Sequence, residues 1–162
     1  MPNHVENELR VSGPKADRDK FRALPFDANT FIPYPAHFRE LDEAATEWDE
    51  RAAKDPTLYQ REQRPKDGFN SGGHEWCVHH WGTKWGMYCV VARHNAARLR
   101  YDFDSAWDPP LPVVLAMSKE FPSLTFELRY FERGAGFKGE LTAKGGEILH
   151  ENQEHYSGPR GG

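Results

Sequence analysis

The first residues of the chain alternate apolar and polar side chains with a period of two. Val5, Leu9 and Val11 share one side of the segment 5–11, and charged residues occupy the other side. This alternation is typical of a half-buried strand. Asn7 interrupts the apolar side, and a buried amide without partners costs about 1–3 kcal/mol. We therefore expect Asn7 to face the helices with its amide hydrogen-bonded to a nearby segment.

Two helical patterns follow this strand. A charged stretch after Pro14 predicts a short helix, and residues 26–35, which contain two prolines, predict an extended connection. A longer apolar stripe then runs from Pro35 to before Pro56, through the positions Phe38, Leu41, Ala45, Trp48 and Ala52. Residues 57–73 are polar and glycine-rich with almost no apolar anchors, which predicts a mobile loop. We interpret 36–73 as a helical and loop insertion.

The second half of the chain returns to regular patterns. Residues 74–81 predict two helical turns that end at Gly82, whose freedom at positive φ suits a helix C-terminus. Period-two and helical patterns then predict a hairpin of 87–93 and 98–104, a helix over 109–121, strands over 124–131 and 137–143, and a short strand at 148–149. Residues 151–162 are polar and predict a flexible tail.

This order of elements predicts an α+β split βαβ sandwich, in which an antiparallel sheet is covered by helices on one face. The domain spans 1–150 and carries an extra C-terminal strand as well as the insertion. The second sheet face is predicted to be solvated, with opposite charges paired across strands. Its members are Glu6, Glu8, Arg10, Arg98, Arg100, Asp102, Glu127 and Arg129.

Composition excludes several classes of protein. A chain of 162 residues fits one domain, and its 10 Phe, 6 Tyr and 5 Trp supply a core. Cys77 and Cys89 are too few for a disulfide scaffold or for an iron–sulfur cluster, so we expect reduced thiols and no cofactor. The chain shows neither a signal peptide nor an apolar run of the roughly 20 residues that span a bilayer. These features predict a cytoplasmic protein.

Four segments carry a resemblance to a known family: Met1–Asn7, Trp81–Trp85, Phe103–Pro110 and Phe121–Gly139. They resemble the YubB-type ferredoxin-like domains of phage and plasmid proteins, a domain of unknown function. The resemblance covers roughly 1–35 and 74–145, whereas 41–73 matches nothing known to us. It implies a ferredoxin-like topology and no particular activity, since that name describes the fold and not a cluster.

Candidate ligand-binding residues lie in one loop and at predicted strand ends: Trp81, Thr83, Lys84, Trp85, Asp104, Trp107 and Glu132. Aromatic walls with one cation and two carboxylates would suit a ligand pocket. The commoner explanation of such residues is structural, with Trp85 and Trp107 filling the core and Lys84 paired with Asp104. The leading hypothesis is a non-enzymatic interaction module that binds a protein partner or a small ligand beside this loop. The alternative is a hydrolase-like or other enzyme that uses Lys84, Asp104 and Glu132.

Two further chemistries are not favoured by the sequence. His74, Cys77 and His80 have the right atoms for zinc, but they lack a convincing ligand spacing and no Cys-x-x-Cys pair accompanies them, so we expect no metal. Bulk nucleic-acid binding is disfavoured by the formal charge of −4. Base stacking on the sheet is disfavoured as well, because charged residues occupy the positions where aromatic residues would be needed.

Overall fold

Six strands form one antiparallel sheet within residues 3–156, the part of the chain that the structure, a computed structural model, describes. They are β1 (His4–Ser12), β2 (Tyr88–Ala92), β3 (Arg98–Ala106), β4 (Thr125–Glu132), β5 (Phe137–Lys144) and β6 (Glu147–His155). Their spatial order is β2-β3-β1-β4-β5-β6. The first four strands in that order have the split βαβ arrangement, and β5 and β6 extend the sheet beyond β4. The predicted α+β ferredoxin-like fold is confirmed.

Helices cover the apolar face of this sheet. Those within the described residues are α1 (Lys15–Ala23), α2 (Ala28–Phe31), α3 (Ala36–Lys54), α4 (Leu58–Arg61), α5 (Gly73–Trp81) and α6 (Leu111–Glu120), together with a 3-10 turn at Phe69–Ser71. Helix α6 packs on β4 and β5, and α1 packs on β3. None of these helices is both long enough and apolar enough to cross a membrane.

The register of β1 agrees with its sequence pattern. Val5, Leu9 and Val11 are fully buried, and Asn7 is buried among them on the helix side. The Asn7 amide nitrogen donates to the Val5 carbonyl and to Ser105 Oγ, both at 2.9 Å. The expectation that Asn7 faces the helices with its amide bonded is confirmed.

The charged face pairs opposite charges between β1 and β3 along the diagonal. Glu8 lies directly opposite Asp102, and Arg10 lies directly opposite Arg100, so like charges face each other. Opposite charges do meet between β1 and β4, where Glu8 faces Arg129. The β1–β3 ion pairs run diagonally, as between Arg100 and Glu8 at 2.9 Å. Opposite charges therefore pair across this strand pair as predicted, although not between directly opposite residues, because register depends on partners distant in sequence.

The segment predicted as an extended connection contains one helical turn. Helix α2 begins after Asp27, whose carboxylate accepts a hydrogen bond from the Asn29 amide at 3.0 Å. A side chain in this position satisfies a donor that the first turn of a helix leaves without a partner. The stabilisation of the helix by this cap outweighs the effect of the two prolines, which favoured an irregular segment.

The insertion is better packed than its composition indicates. Helix α3 is confirmed, and its buried side is formed by Ala45, Trp48 and Ala52. Leu58, in the segment predicted to lack apolar anchors, joins Trp48 and Ala52 in a small second core. Arg64 also contacts the Asp49 carboxylate at 2.8 Å. The prediction of a mobile loop over 57–73 overlooked these contacts, because composition does not show which residues of the segment meet α3.

The end of the described chain is a strand. Glu147–His155 pair with β5 along their length, so the residues predicted as a flexible tail begin inside β6. The short strand predicted at 148–149 is the start of this longer one. Residues 157–162, the remainder of the predicted tail, lie outside the described residues.

Candidate functional site

The loop of residues 82–87 connects α5 to β2 and is fixed to the end of β3. Gly82 has a φ of 74°, which allows α5 to end in a left-handed turn. Thr83 Oγ1 donates to the Ala106 carbonyl at 2.7 Å and accepts from the Ala106 amide at 3.1 Å. The Lys84 amide donates to the same carbonyl at 3.2 Å. These bonds hold the loop beside the last residue of β3.

Lys84 lies between two indole rings at this end of the sheet. Its Nζ is 4.2 Å from the ring centroid of Trp107 and 5.3 Å from that of Trp85. Both distances are within the range of cation–π attraction. We call Lys84, Trp85 and Trp107 the indole surface. His74 of α5 meets the Trp107 ring edge-on at 5.5 Å between ring centroids, which places this surface on the helix side of the sheet.

Trp107 has a conformation that is unusual for its residue type. Its φ is 72°, in the left-handed region, and 40% of the residue is exposed. Its amide donates to the Asn3 carbonyl at 2.9 Å, which holds the backbone in place. A non-glycine residue in this region costs about 1–2 kcal/mol. A large exposed ring held at such a cost is typical of a functional contact, because strained residues cluster at binding sites.

An open groove of about 420 Å³ lies on the other side of Trp85. Its walls include Tyr34, Trp81, Met87 and Tyr88, and Asp27 and Arg39 contribute charged groups. Burial, with a smaller effect of the nearby Asp42 carboxylate, raises the pKa of Tyr34 well above its usual range. The groove thus offers neutral aromatic walls with one charge of each sign. This composition suits a ligand with a flat apolar part.

Trp81 lies mostly inside the core. It is 7% exposed, and its indole nitrogen donates to the Ile32 carbonyl at 2.8 Å. The ring also meets Trp76 edge-on at 5.4 Å. Only a minor part of Trp81 therefore contributes to the groove, and its main role is to support the loop.

Asp104 and Glu132 do not join the indole surface. Asp104 lies on the outer, polar face of the sheet, opposite Glu6, whereas Glu132 is buried on the helix side. Glu132 accepts hydrogen bonds from the amides of Gly134, at 2.8 Å, and Ala135, and so organises the turn between β4 and β5. The predicted pair of Lys84 with Asp104 is absent among the described ion pairs, because strand alternation points Asp104 to the other face.

His80 and Cys77 of α5 have other contacts. Within residues 3–156, no group of three His, Cys, Asp or Glu side chains is arranged to hold a metal ion. His80 stacks on Trp76 at 4.4 Å, and its Nδ1 lies 2.9 Å from the Trp76 carbonyl oxygen. Burial raises the pKa of the Cys77 thiol to about 11, and the Asp42 charge adds to the shift. Cys77 is therefore a neutral core residue near pH 7.

Several residues beside the loop were missed by sequence reasoning. Phe69 lies 6.5 Å from Trp85 between ring centroids, and Tyr34 and Met87 line the groove. The sequence did offer a sign for Phe69, since it is an aromatic residue inside the largely polar stretch 57–73. Tyr34 and Met87 gave no comparable signal, since each lies in a segment that also fits an ordinary core.

Replacing Thr83 by valine is expected to lower the free energy of unfolding by about 1–3 kcal/mol, because the buried Ala106 amide and carbonyl both lose their hydroxyl partner. Urea unfolding of the wild type and the variant measures this difference. Thr83→Ser keeps the hydroxyl and serves as the control. An equal loss in Thr83→Val and Thr83→Ser would show that the hydroxyl does not hold the loop.

Comparison with known proteins supports the fold. Residues 81–158 match the family model described as "Ferredoxin-like domain in Api92-like protein", and no curated protein matches the chain. The whole fold is similar to the crystal structure of protein api92 from Yersinia pseudotuberculosis, with a TM-score of 0.61 and 11% identity over 98% of this chain and 100% of that one. The match carries the Api92-like name and not the YubB one. The chain thus has a ferredoxin-like fold, and its residues 81–158 are similar to the ferredoxin-like domain of Api92-like proteins, a domain of unknown function.

Proposed function

We propose that this protein is a non-enzymatic binding module that holds a protein partner or a small ligand at the indole surface and the adjoining groove. The observation that carries the proposal is Trp107, which is 40% exposed in a left-handed conformation. Tryptophan is enriched among the residues that dominate binding energy. An accessory role of phage or plasmid type is part of the same proposal and rests on the sequence resemblance described above, whereas the proposed cytoplasmic location rests on the low cysteine content.

Rigidity of the loop supports this proposal. Thr83 and Lys84 bind the same residue at the end of β3, and the Lys84 ammonium lies over both indole rings. Residues that are ordered before binding lose less conformational entropy when a partner arrives. The exposed ring of Trp107 would therefore contact a partner at little further cost.

The enzymatic alternative has less support in the geometry. Lys84, Asp104 and Glu132 would need to converge on one substrate. Asp104 and Glu132 lie on opposite sides of the sheet, and the Glu132 carboxylate is bonded to two turn amides. The groups named for catalysis therefore do not share one pocket.

The test uses Trp107→Gly, since glycine adopts the left-handed conformation without strain while the ring is lost. Wild-type protein and the variant are immobilised and exposed to an extract of the source cells. Captured proteins and small molecules are identified by mass spectrometry and then titrated against the purified chain. We expect at least one species to bind the wild type and to be lost from Trp107→Gly.

The control is Leu149→Ala, which removes a side chain that is 60% exposed on β6, away from the loop. It is expected to retain the same captured species. Thermal unfolding of all three proteins checks that Trp107→Gly remains folded. A captured set that is identical for the wild type and Trp107→Gly would contradict the proposal.

A further inference from the structure

A second site lies on the outer face of the sheet, at the opposite end of β1 and β3 from the indole surface. We propose that this site binds an oligophosphate group. It is a depression of about 290 Å³, which we call the arginine pocket, lined by Arg10, Arg93, Asn95, Ala97, Arg98 and Arg100. Its location makes it independent of the function proposed above, because the indole surface lies on the helix side.

The strand register places three arginines of the pocket in one row. Arg100 on β3 lies directly opposite Arg10 on β1. On the other side of β3, the Arg93 amide donates to the Arg100 carbonyl at 2.8 Å, so Arg93 is the next member of the row. Neighbouring strands are about 4.8 Å apart, and the row therefore extends over roughly 10 Å. Like charges directly opposite each other destabilise a sheet, so the arginines of the row do not stabilise the strand pair through each other.

Nearby carboxylates neutralise the row only in part. Asp102 accepts two bonds from Arg100, at 3.0 and 3.2 Å, and contacts Arg93 at 3.0 Å. Glu8 contacts Arg10 at 2.6 Å and Arg100 at 2.9 Å. Both carboxylates lie one row toward the indole end, outside the residues that line the pocket. They hold the guanidinium groups from one side and leave the other side to a ligand.

Arg98 adds a further positive charge to the pocket. It lies two residues along β3 from Arg100, on the same face, and within residues 3–156 no ion pair involves it. Four guanidinium groups thus surround the depression. Three carboxylates lie near them, those of Glu8, Asp102 and Glu127; Glu127 is on β4 and faces Arg10. Four positive and three negative charges leave one positive charge uncompensated, and the positive charges are concentrated at the pocket.

Oligophosphate is the ligand class that fits this arrangement. The planar guanidinium group presents paired N–H donors that match phosphate oxygens. Several phosphates joined in a chain can span a row of roughly 10 Å, whereas a single carboxylate is too short to do so. The lining contains no aromatic ring on which a base could stack. We therefore expect the phosphate chain itself to be recognised, whether it is free or part of a nucleotide.

The test is calorimetric titration of the full chain with sodium tripolyphosphate at an ionic strength near 0.15 M, where charges farther apart than about 8 Å are largely screened. The variants are Arg98→Ala, chosen because it breaks no described ion pair, and Arg93→Ala/Arg98→Ala. The control is Arg129→Ala, on the same face but outside the arginine pocket. Loss of one charged hydrogen-bond donor predicts about tenfold weaker binding for Arg98→Ala.

The outcomes distinguish the pocket from a diffuse charge effect. The double variant is expected to bind more weakly than Arg98→Ala, and Arg129→Ala is expected to stay within about twofold of the wild type. Titration with ATP should give nearly the same affinity as tripolyphosphate, whereas much tighter ATP binding would show that the nucleoside is recognised and contradict the inference. Absence of binding to the wild type, or an equal loss in Arg129→Ala, would overturn it.

Discussion

Replacing Phe21 by alanine is expected to lower the free energy of unfolding by about 3–5 kcal/mol, the usual cost of removing a buried phenyl ring. Phe21 is 1% exposed and connects α1 to the sheet. Its ring lies 5.3 Å from those of Phe121 and Phe126 and 6.0 Å from that of Tyr101. Removal leaves these rings beside a cavity. Each kcal/mol lowers the melting temperature by about 2–4 °C in a domain of this size, so calorimetry should detect a drop of roughly 6–20 °C.

Two further variants serve as controls for that result. Phe21→Leu retains most of the apolar volume and is expected to lose clearly less stability than Phe21→Ala. Leu149→Ala, at an exposed position, is expected to stay within about 0.5 kcal/mol of the wild type. If Phe21→Ala unfolded at the wild-type temperature, the aromatic contacts between α1 and the sheet would not be what holds this helix in place.

Replacing Gly139 by alanine is expected to cost about 3 kcal/mol, although the change adds a single methyl group. Gly139 lies directly opposite Tyr130 on β4, and the tyrosine ring covers it. An added Cβ would overlap the Tyr130 hydroxyl and lie 2.6 Å from the Asn152 carbonyl oxygen. Strands β4 and β6 would have to move away from β5 to accept the added methyl group. Urea unfolding measures the loss.

The matched comparison is the same substitution in a Tyr130→Leu background, where much of the overlapping ring is absent. There the cost of Gly139→Ala should be smaller by about 1 kcal/mol or more, because residues in contact give non-additive effects. Gly145→Ala gives the cost of backbone strain without overlap, expected at about 1–2 kcal/mol, since Gly145 has open space around it and a φ of 62°. Equal costs of Gly139→Ala with tyrosine and with leucine at position 130 would exclude the ring as the cause.

Much of the fold could be predicted because its strongest elements carry a clear period. Strand β1 and helix α3 have regular apolar positions, and both form where the pattern places them. Helix α2 was missed because it is one turn long and begins at a single capping residue, Asp27. The small core around Leu58 was missed because its members are separated in sequence, and composition alone does not show that they meet.

The candidate site was predictable only in part. Thr83, Lys84, Trp85 and Trp107 meet at the end of β3, close to where the sequence placed them. The alternation along β3 already places Asp104 on the same face as Asp102, and the prediction of a shared pocket did not use it. The arginine pocket was not predicted, since it depends on which residue of β1 lies opposite each residue of β3.

The central place of β1 in the sheet has a consequence for how the chain folds. His4 pairs with Ala106, and Glu6 pairs with Phe131, so both neighbours of β1 in the sheet lie far along the chain from it. Contacts between such distant residues slow folding, because a long loop must close before they form. The small core of the insertion lies inside that loop. Its early collapse would shorten the effective length of that loop, and so would offset part of the delay that the added residues cause.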